Sequence, residues 1–470
     1  MKLTRSRFAN SLILASIVYL GALLIYAVSN NASGYYLAIG VIIVLLLGIT
    51  LKLPRGLKFN ISFLILSAGL TVFFLEVLLG LGFLEKIDGS DSRAPAIKLR
   101  STAASLIGKH FDEREPIDVI SHLRDIGIDA YPSINPYMLT KASAFSRNDE
   151  LFPLGGISGK TIVACNEGGE YLIFESDEQG FHNPEGLWSK DKIDIITVGD
   201  SLTHGECVNS DKNTTALIRK THENTLNLAT SGSGPLIQLA LIKEYTKELR
   251  PEVVLWFYCE CNDLLDLKLE SSDPSYYLYR NYLESDFRQE LRNNQPKIDS
   301  FLSNWALGHI EGIINEQQFR LGDTFIDILK MRNLRTFVLR RIGAGTSSRI
   351  EPIDEADLQL FSRVLNDGKN HVSKLGGQLY FVYLPTWARY GNPDDTPGIN
   401  HDAQLELIPF YDRILSIVDD LDIPIIDLKT KFDQHPDPLA LWPFRLMGHF
   451  NEKGYQFVAE RVLEEIEVTD

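Results

Sequence analysis

The sequence has few cysteines and fewer basic than acidic residues. Four cysteines in 470 residues are too few for a disulfide-built scaffold, and Cys259 with Cys261 forms a C-x-C, not paired zinc knuckles, so no structural zinc is expected. Lys plus Arg number 46 against 62 Asp plus Glu, for a net charge of −16. This balance argues against broad binding to nucleic acid. With 44% hydrophobic and 23% charged residues, the chain is expected to fold.

The first 87 residues differ from the rest in being apolar and basic. They carry a balance of +5, which leaves −21 for the remaining chain. Ser11 to Val28 and Gly34 to Leu51 are uncharged and long enough to cross a hydrocarbon core about 30 Å thick. A third run, Phe59 to Leu84, is interrupted only by Glu76. Two further apolar runs argue against a cleaved signal, so the sequence predicts three transmembrane helices over residues 1–87.

The basic residues set the expected orientation. They precede the first span and fill the second loop, whereas the loop at Ser29 to Ser33 has none. By the positive-inside tendency, the N-terminus is expected in the cytoplasm and everything after about Glu85 on the periplasmic side of the inner or plasma membrane. Glu76 has two interpretations: a functional intramembrane carboxylate, or a residue placed at the interface or paired with a neighbouring helix.

The rest of the chain divides into residues 88–190, called here the lead-in region, and a larger part in which strands and helices alternate. Residues 88–190 are expected to form a linker and a small region with short β-like pieces between Lys160 and Phe174. From residue 191 to 470, apolar strands alternate with helical patterns, which predicts an α/β, flavodoxin-like doubly wound parallel sheet. Residues 264–350 are too long for one crossover and are expected to form a helical insertion that could act as a lid. The five candidate strands are Ile193 to Asp200, Asn224 to Thr230, Pro251 to Glu260, Gly377 to Pro385 and Ile423 to Leu428.

Residues at the ends of these strands are the candidates for chemistry, because ligands of open α/β sheets sit beyond the carboxyl ends of the strands. Ser201 follows the first strand, Gly232 the second and Asn262 the third, while His449 lies shortly before the last helical stretch. A hydroxyl, a glycine, an amide and an imidazole are therefore expected to meet at one edge of the sheet.

Four motifs of this part resemble those of the SGNH, or GDSL-type, hydrolases: VGDSLTHG, NLATSG, ECND and HFNEKGY, over about residues 192–469. The resemblance implies an esterase that needs no cofactor or metal. Ser201 would be the nucleophile and His449 its base. The N–H groups of Ser201 and Gly232 and the amide of Asn262 would bind the oxyanion.

One departure from that family concerns the group that orients the histidine. The family commonly has an aspartate three residues before it, and here that position is Leu446. Replacing such an aspartate by asparagine in a serine protease lowers turnover about 10⁴-fold. Asp433, Asp437 or a main-chain carbonyl could take its place, and the sequence does not choose among them.

Each candidate also has a purely structural interpretation. Ser201 could cap the following helix, Asn262 could belong to a turn, and Gly232 could serve backbone geometry alone. His204, three residues beyond Ser201, is a rival base.

The cysteines leave a further question open. Cys165 and Cys207 both fall in the part expected outside the cytoplasm, where disulfides persist. They are either bridged, which would tie the lead-in region to the active-site helix, or two buried thiols. Cys259 and Cys261 are expected to be too close in one strand to pair easily.

The sequence thus predicts a membrane-anchored serine esterase that deacetylates a cell-envelope or exported polysaccharide, or hydrolyses another ester. Substrate-binding residues are not identified. One alternative is an O-acyltransferase to a glycan, for which three helices are few without a membrane-protein partner. The other is a non-catalytic binding or assembly protein with the same fold, favoured by the absent aspartate.

Overall fold

The computed structural model describes residues 2–29, 34–80, 93–141, 151–318, 334, 352–392 and 402–466. The chain divides into two compact units, Met1–Ser90 with Glu316–Ser348, and Asp91–Asn315 with Arg349–Asp470. The division at residues 87 and 190 inferred from the sequence stays a prediction.

Three helices make up the N-terminal part of the first unit: α1 (Lys2–Ser29), α2 (Gly34–Thr50) and α3 (Arg55–Gly80). Many of their apolar side chains are exposed, among them Leu14, Val18, Leu45, Ile49, Phe63, Leu64 and Phe74. Within the described residues, only Arg55–Glu76 is long and apolar enough to cross a membrane, and the apolar stretches Arg7–Gly21 and Val41–Thr50 are shorter. The three transmembrane spans expected from the sequence are therefore not confirmed and stay a prediction.

Two charged side chains within this unit, those of Lys58 and Glu76, have partners. Lys58 Nζ donates to Asn10 Oδ1 at 3.1 Å and to the carbonyl of Leu51 at 2.6 Å. Glu76 is fully buried, and its carboxylate accepts the main-chain N–H of Leu334 at 2.6 Å. This bond supports the interpretation of Glu76 as a paired structural residue.

The second unit begins with a small mixed region. It holds α4 (Arg93–Leu106), α5 (Pro116–Asp125), β1 (Ala130–Pro132), α6 (Pro136–Lys141), β2 (Thr161–Val163) and β3 (Ile173–Glu175). Strand β1 pairs with β2 in parallel, and β2 pairs with β3 in antiparallel fashion. The β-like pieces expected between Lys160 and Phe174 are confirmed as β2 and the start of β3.

A five-stranded parallel sheet forms the centre of the second unit. Its order is β5-β4-β6-β7-β8, the flavodoxin-like 2-1-3-4-5 order, and every adjacent pair is parallel. Each of the five strands expected from the sequence is present. Their bounds are β4 (Ile195–Val198), β5 (Thr225–Asn227), β6 (Val253–Cys259), β7 (Gln378–Leu384) and β8 (Ile425–Asp427).

The sheet is buried on both faces, which explains why its strands are almost continuously apolar. Side chains alternate across a strand: in β6, Val254 and Trp256 join one hydrophobic core, whereas Leu255 and Phe257 join the other. Helices cover both faces. They are α7 (Ser201–His204), α8 (Thr214–Arg219), α9 (Pro235–Leu249), α10 (Asp263–Ser272), α11 (Tyr277–Glu284), α12 (Leu291–Gln318), α13 (Glu355–Lys374), α14 (Asp402–Leu407), α15 (Tyr411–Asp420), α16 (Leu428–Asp433) and α17 (Glu452–Glu465).

The long insertion after β6 is helical where the structure describes it. Helices α10, α11 and α12 occupy most of residues 264–318, as the charge-mixed composition predicts. Apart from Leu334, residues 319–350 lie outside the described part of the chain, and so does any lid expected there.

Candidate active site

The turn between β4 and α7 presents Ser201. Asp200 caps α7, since its carboxylate accepts the N–H of Leu202 at 3.0 Å. Ser201 Oγ lies 3.5 Å from Asp200 Oδ2, a weak contact. Among the described residues, the Ser201 hydroxyl forms no hydrogen bond with His449. The serine is therefore placed at the sheet edge with its hydroxyl turned towards Asp200.

The loop after β5 brings Gly232 to the same edge. The carbonyl of Gly199 accepts the N–H of Thr230 at 3.3 Å and the hydroxyl of Ser233 at 3.0 Å. Gly232 has a φ of +68°, which favours glycine. Its N–H has no acceptor within the described part of the chain, and such a free donor is what an oxyanion pocket requires.

Asn262, the third predicted donor, lies just after β6 and contacts the serine turn through Asp200. Its side chain donates to Asp266 Oδ2 at 2.7 Å. Burial raises the pKa of Asp200, and a hydrogen bond from Asn262 opposes that rise. Burial and the charge of Asp200 raise the pKa of Asp266 to about 8. The amide is therefore held by Asp266 and by Asp200, the residue before Ser201, so it must turn to reach an oxyanion.

The group that orients His449 is Glu167, a residue of the loop between β2 and β3. Glu167 Oε2 lies 3.3 Å from His449 Nδ1 and accepts the main-chain N–H of the same histidine at 2.6 Å. Arg100 Nη2 contacts the other carboxylate oxygen at 3.1 Å and the carbonyl of Met447 at 2.7 Å. A carboxylate at Nδ1 leaves Nε2 as the nitrogen that can take a proton from a serine.

Gly448 allows this carboxylate to approach. A Cβ added there would lie 2.2 Å from Glu167 Oε2 and 2.8 Å from Arg100 Nη2. A side chain at this position would displace one of these groups, so a glycine before His449 is needed for steric reasons.

The acids proposed from the sequence are engaged elsewhere. Asp433 Oδ1 accepts the hydroxyl of Tyr390 at 3.0 Å, and Asp437 pairs with Arg445 at 2.6 Å. Sequence reasoning missed Glu167 because 282 residues separate it from His449. No motif or periodicity marks the glutamate, and its only local signal is a following Gly-Gly pair.

The charges around His449 favour its protonated form. Burial lowers its pKa, but the charge and hydrogen bond of Glu167, with the charges of Glu206 and Asp200, outweigh burial and raise the pKa to about 9. Burial likewise opposes ionisation of Glu167, but His449 and Arg100 lower its pKa to about 2. The His449 side chain is only 26% exposed. The protonated form of His449 therefore predominates at neutral pH, and the neutral form that can act as a base becomes more available as the pH rises.

His204, the rival base, is poorly suited to the task. It is 6% exposed, and burial together with the charge of His449 lowers its pKa to about 4. Its ring packs edge-on against Phe174 at 5.6 Å. The imidazole is neutral but shut away from solvent, so it has little access to a substrate.

All four cysteines are paired. Cys165 and Cys207 are bonded, with Cα atoms 5.0 Å apart, which answers the question left open by the sequence. Cys207 Sγ lies 3.5 Å from His449 Nδ1. Cys259 and Cys261 are bonded too, with Cα atoms 5.1 Å apart, so the expectation that they could not easily pair is wrong. Strand β6 ends at Cys259, and the chain turns there so that the two side chains meet.

Two groups of side chains have the spacing of metal ligands. Cys165, Cys207 and His449 form one, and Asp200, Cys259 and Cys261 the other, with donor atoms within 4.8 Å of one another. In both groups the two sulfurs are bonded to each other and lack the thiolate that binds metals. Neither group is therefore a metal site in this form of the protein.

Comparison with known protein families finds no matching family model, and no curated protein matches. Among solved structures, the chain is similar to a lipolytic protein of the G-D-S-L family from Desulfitobacterium hafniense, with 10% identity and a TM-score of 0.31 over 58% of this chain and 100% of that one. It is also similar to the acetyl xylan esterase AlAXEase, with 12% identity and a TM-score of 0.29 over 58% and 100%. A lipase/acylhydrolase from Enterococcus faecalis gives 14% identity and a TM-score of 0.29 over 58% and 94%. At such values, a functional conclusion has to come from the geometry of the site.

Proposed function

We propose that the protein is a serine esterase whose nucleophile is Ser201 and whose base is His449, oriented by Glu167. The observation that carries the proposal is the placement of Glu167 Oε2 3.3 Å from His449 Nδ1. It supplies the carboxylate that the sequence lacks at Leu446. A carboxylate at this nitrogen fixes the tautomer and stabilises the imidazolium that forms during acyl transfer.

The first half of the reaction acylates the serine. The Ser201 hydroxyl turns from Asp200 and gives its proton to His449 Nε2 as its oxygen attacks the ester carbonyl. The negative charge that develops on the carbonyl oxygen is met by the N–H groups of Ser201 and Gly232 and by the Asn262 amide. Loss of one such donor typically costs about 10²–10³ in rate.

The second half releases the acyl group. His449 gives its proton to the leaving alcohol and then takes one from a water molecule, which attacks the acyl-serine. The proton returns to Ser201 when the acid leaves. Arg100, whose Nη2 lies 3.1 Å from Glu167 Oε1, favours the ionised carboxylate through both halves of the reaction.

The cellular setting is also a proposal. A three-helix anchor in the inner or plasma membrane would hold the catalytic domain on the periplasmic side. The apolar helix stretch Arg55–Glu76 supports an anchor, and two disulfides support an oxidising compartment. A natural substrate there is an acylated glycan of the envelope, most simply an acetyl ester.

Labelling with a fluorophosphonate probe tests the activity. We expect the purified protein to be labelled and to hydrolyse p-nitrophenyl acetate, and Ser201→Ala to lose both. Ser189→Ala is the matched control, because Ser189 is exposed and, among the described residues, its hydroxyl donates to the carbonyl of Gly186. Equal labelling of Ser201→Ala, or no labelling of folded protein, would contradict the proposal and favour a binding protein. Analysis of products with a sugar acceptor separates hydrolysis from transfer.

A further inference from the structure

We propose that the Cys165–Cys207 disulfide positions the acid and the base of this site, so that its reduction reversibly switches the esterase off. This inference rests on the proposed function. The bridge spans 42 residues and joins the loop that carries Glu167 to the segment that follows the nucleophile.

The first argument is the position of the two half-cystines. Cys165 is two residues before Glu167, and Cys207 is six residues after Ser201. The loop around Glu167 is otherwise held by weaker contacts, such as the bond from Asn166 Nδ2 to the carbonyl of Asp112 at 2.9 Å. Breaking the disulfide removes the covalent cross-link between the loop of Glu167 and the segment that follows Ser201. A displacement of a catalytic group by about 1 Å can lower the rate by about 10².

The second argument is what reduction places beside the imidazole. Cys207 Sγ is 3.5 Å from His449 Nδ1, nearly as close as Glu167 Oε2 at 3.3 Å. In the disulfide this sulfur has neither proton nor charge. After reduction it can ionise, because an adjacent imidazolium lowers the pKa of a thiol. A Cys207 thiolate would then compete with Glu167 for the same nitrogen.

The other charges around His449 act in the same direction. Glu167, Glu206 and Asp200 favour the protonated form of the ring, while Arg100 pairs with the other carboxylate oxygen of Glu167. A thiolate at Cys207 would add a further negative charge and stabilise the protonated form of His449. Reduction should therefore both loosen the acid and make the base harder to deprotonate.

Thiol–disulfide exchange is also expected to begin at Cys165, the more exposed of the two half-cystines. Cys207 is 5% exposed, whereas Cys165 is partly exposed. A dithiol such as dithiothreitol attacks Cys165 Sγ through its thiolate, and the S–S bond breaks to release Cys207 as a thiolate next to His449, a favourable leaving group. The second thiol of the reagent then attacks the mixed disulfide. Cys165 is released as a thiol, and the reagent becomes a cyclic disulfide, so two electrons pass from reagent to protein.

The test is ester hydrolysis by the full-length protein with and without dithiothreitol, in buffer with a chelator and with thiols counted. We expect reduction to lower the kcat of the wild type by about 10- to 100-fold, with KM changed less, and reoxidation to restore it. Cys165→Ala and Cys207→Ala should be slow without reductant and respond little to it. The double variant Cys259→Ala/Cys261→Ala is the matched control, because it removes the other disulfide. Whatever its basal rate, it should keep the drop on reduction.

A pH profile separates positioning from simple loss of structure. Cys165→Ala keeps the thiol at Cys207, so its rate should rise at higher pH than that of Cys207→Ala. Full kcat in a folded wild type with Cys165 and Cys207 shown to be reduced would overturn the proposal. Loss of near-UV circular dichroism on reduction would overturn it too, because the bridge would then support the whole fold. Absence of Ser201-dependent hydrolysis in the oxidised protein would instead refute the proposed function.

Discussion

Replacing Glu167 by glutamine removes the charge that favours protonated His449 and keeps the shape of the side chain. The pKa of His449 is raised to about 9 from a usual value of 6.5, and Glu167 is the largest of the groups that raise it. Full loss of this rise would correspond to about 3 kcal/mol. Because Glu206 and Asp200 remain, we expect only part of this rise in the pKa of His449 to be lost, on the order of 1 to 2 kcal/mol.

The variant should therefore show two opposite changes. The rate should begin to rise at lower pH, because the base loses its proton more easily. The plateau of kcat should fall by about 10²–10⁴, since the imidazolium of the transition state loses its stabilising carboxylate. A side chain that only supports the loop would lower activity without moving the pH at which the rate rises.

The assay measures both kcat and kcat/KM for p-nitrophenyl acetate from about pH 5.5 to 10.5. The plateau is read from kcat, and kcat/KM reports the ionisations of the free protein. Glu170→Gln is the matched control: it removes a carboxylate three residues away whose side chain is exposed, and its profile should match the wild type. An unchanged rising limb in folded Glu167→Gln would refute the assignment of Glu167, whatever happened to the plateau.

Two further predictions follow from the same geometry. Gly448→Ala should lower kcat about as much as Glu167→Gln, because the added Cβ would meet Glu167 Oε2 at 2.2 Å; wild-type kcat for this variant in steady-state assays would show that the carboxylate is not needed there. The ion pair between Glu167 and His449 should also make the stability of the protein depend on pH. The contribution of His449, whose pKa is raised to about 9, is fully present below about pH 6.5 and is lost as the pH rises through 9. That of Glu167, whose pKa is lowered to about 2, is present above about pH 4.5 and is lost as the pH falls through 2. The difference in melting temperature between wild type and Glu167→Gln should be largest between about pH 4.5 and 6.5 and smaller at pH 9.5, and a difference independent of pH would argue against the ion pair.

The parallel sheet could be predicted from the sequence for a physical reason. A parallel strand covered on both faces needs apolar side chains at nearly every position, so β6 and β7 appear as unbroken apolar runs. Once the strands are parallel, their carboxyl ends share one edge, which places Ser201, Gly232 and Asn262 within one region. The roles of these residues, and of His449, stay predictions.

The N-terminal part shows where composition alone is insufficient. Apolar runs predict helices correctly, but only Arg55–Glu76 among the described residues reaches the length and apolar character of a span. The bond between Glu76 and the N–H of Leu334 joins positions far apart in the sequence. No local pattern marks such a partner.

By itself, the sequence determined the parallel sheet and the residues at its edge, because both follow from periodicity and short motifs. Only the tertiary structure decided which acid serves His449, how the cysteines pair, and that Ser201 faces Asp200. These are contacts between side chains distant along the chain. Glu167 reaches His449 only because the lead-in region folds against the loop before α17, where Gly448 leaves room for its carboxylate.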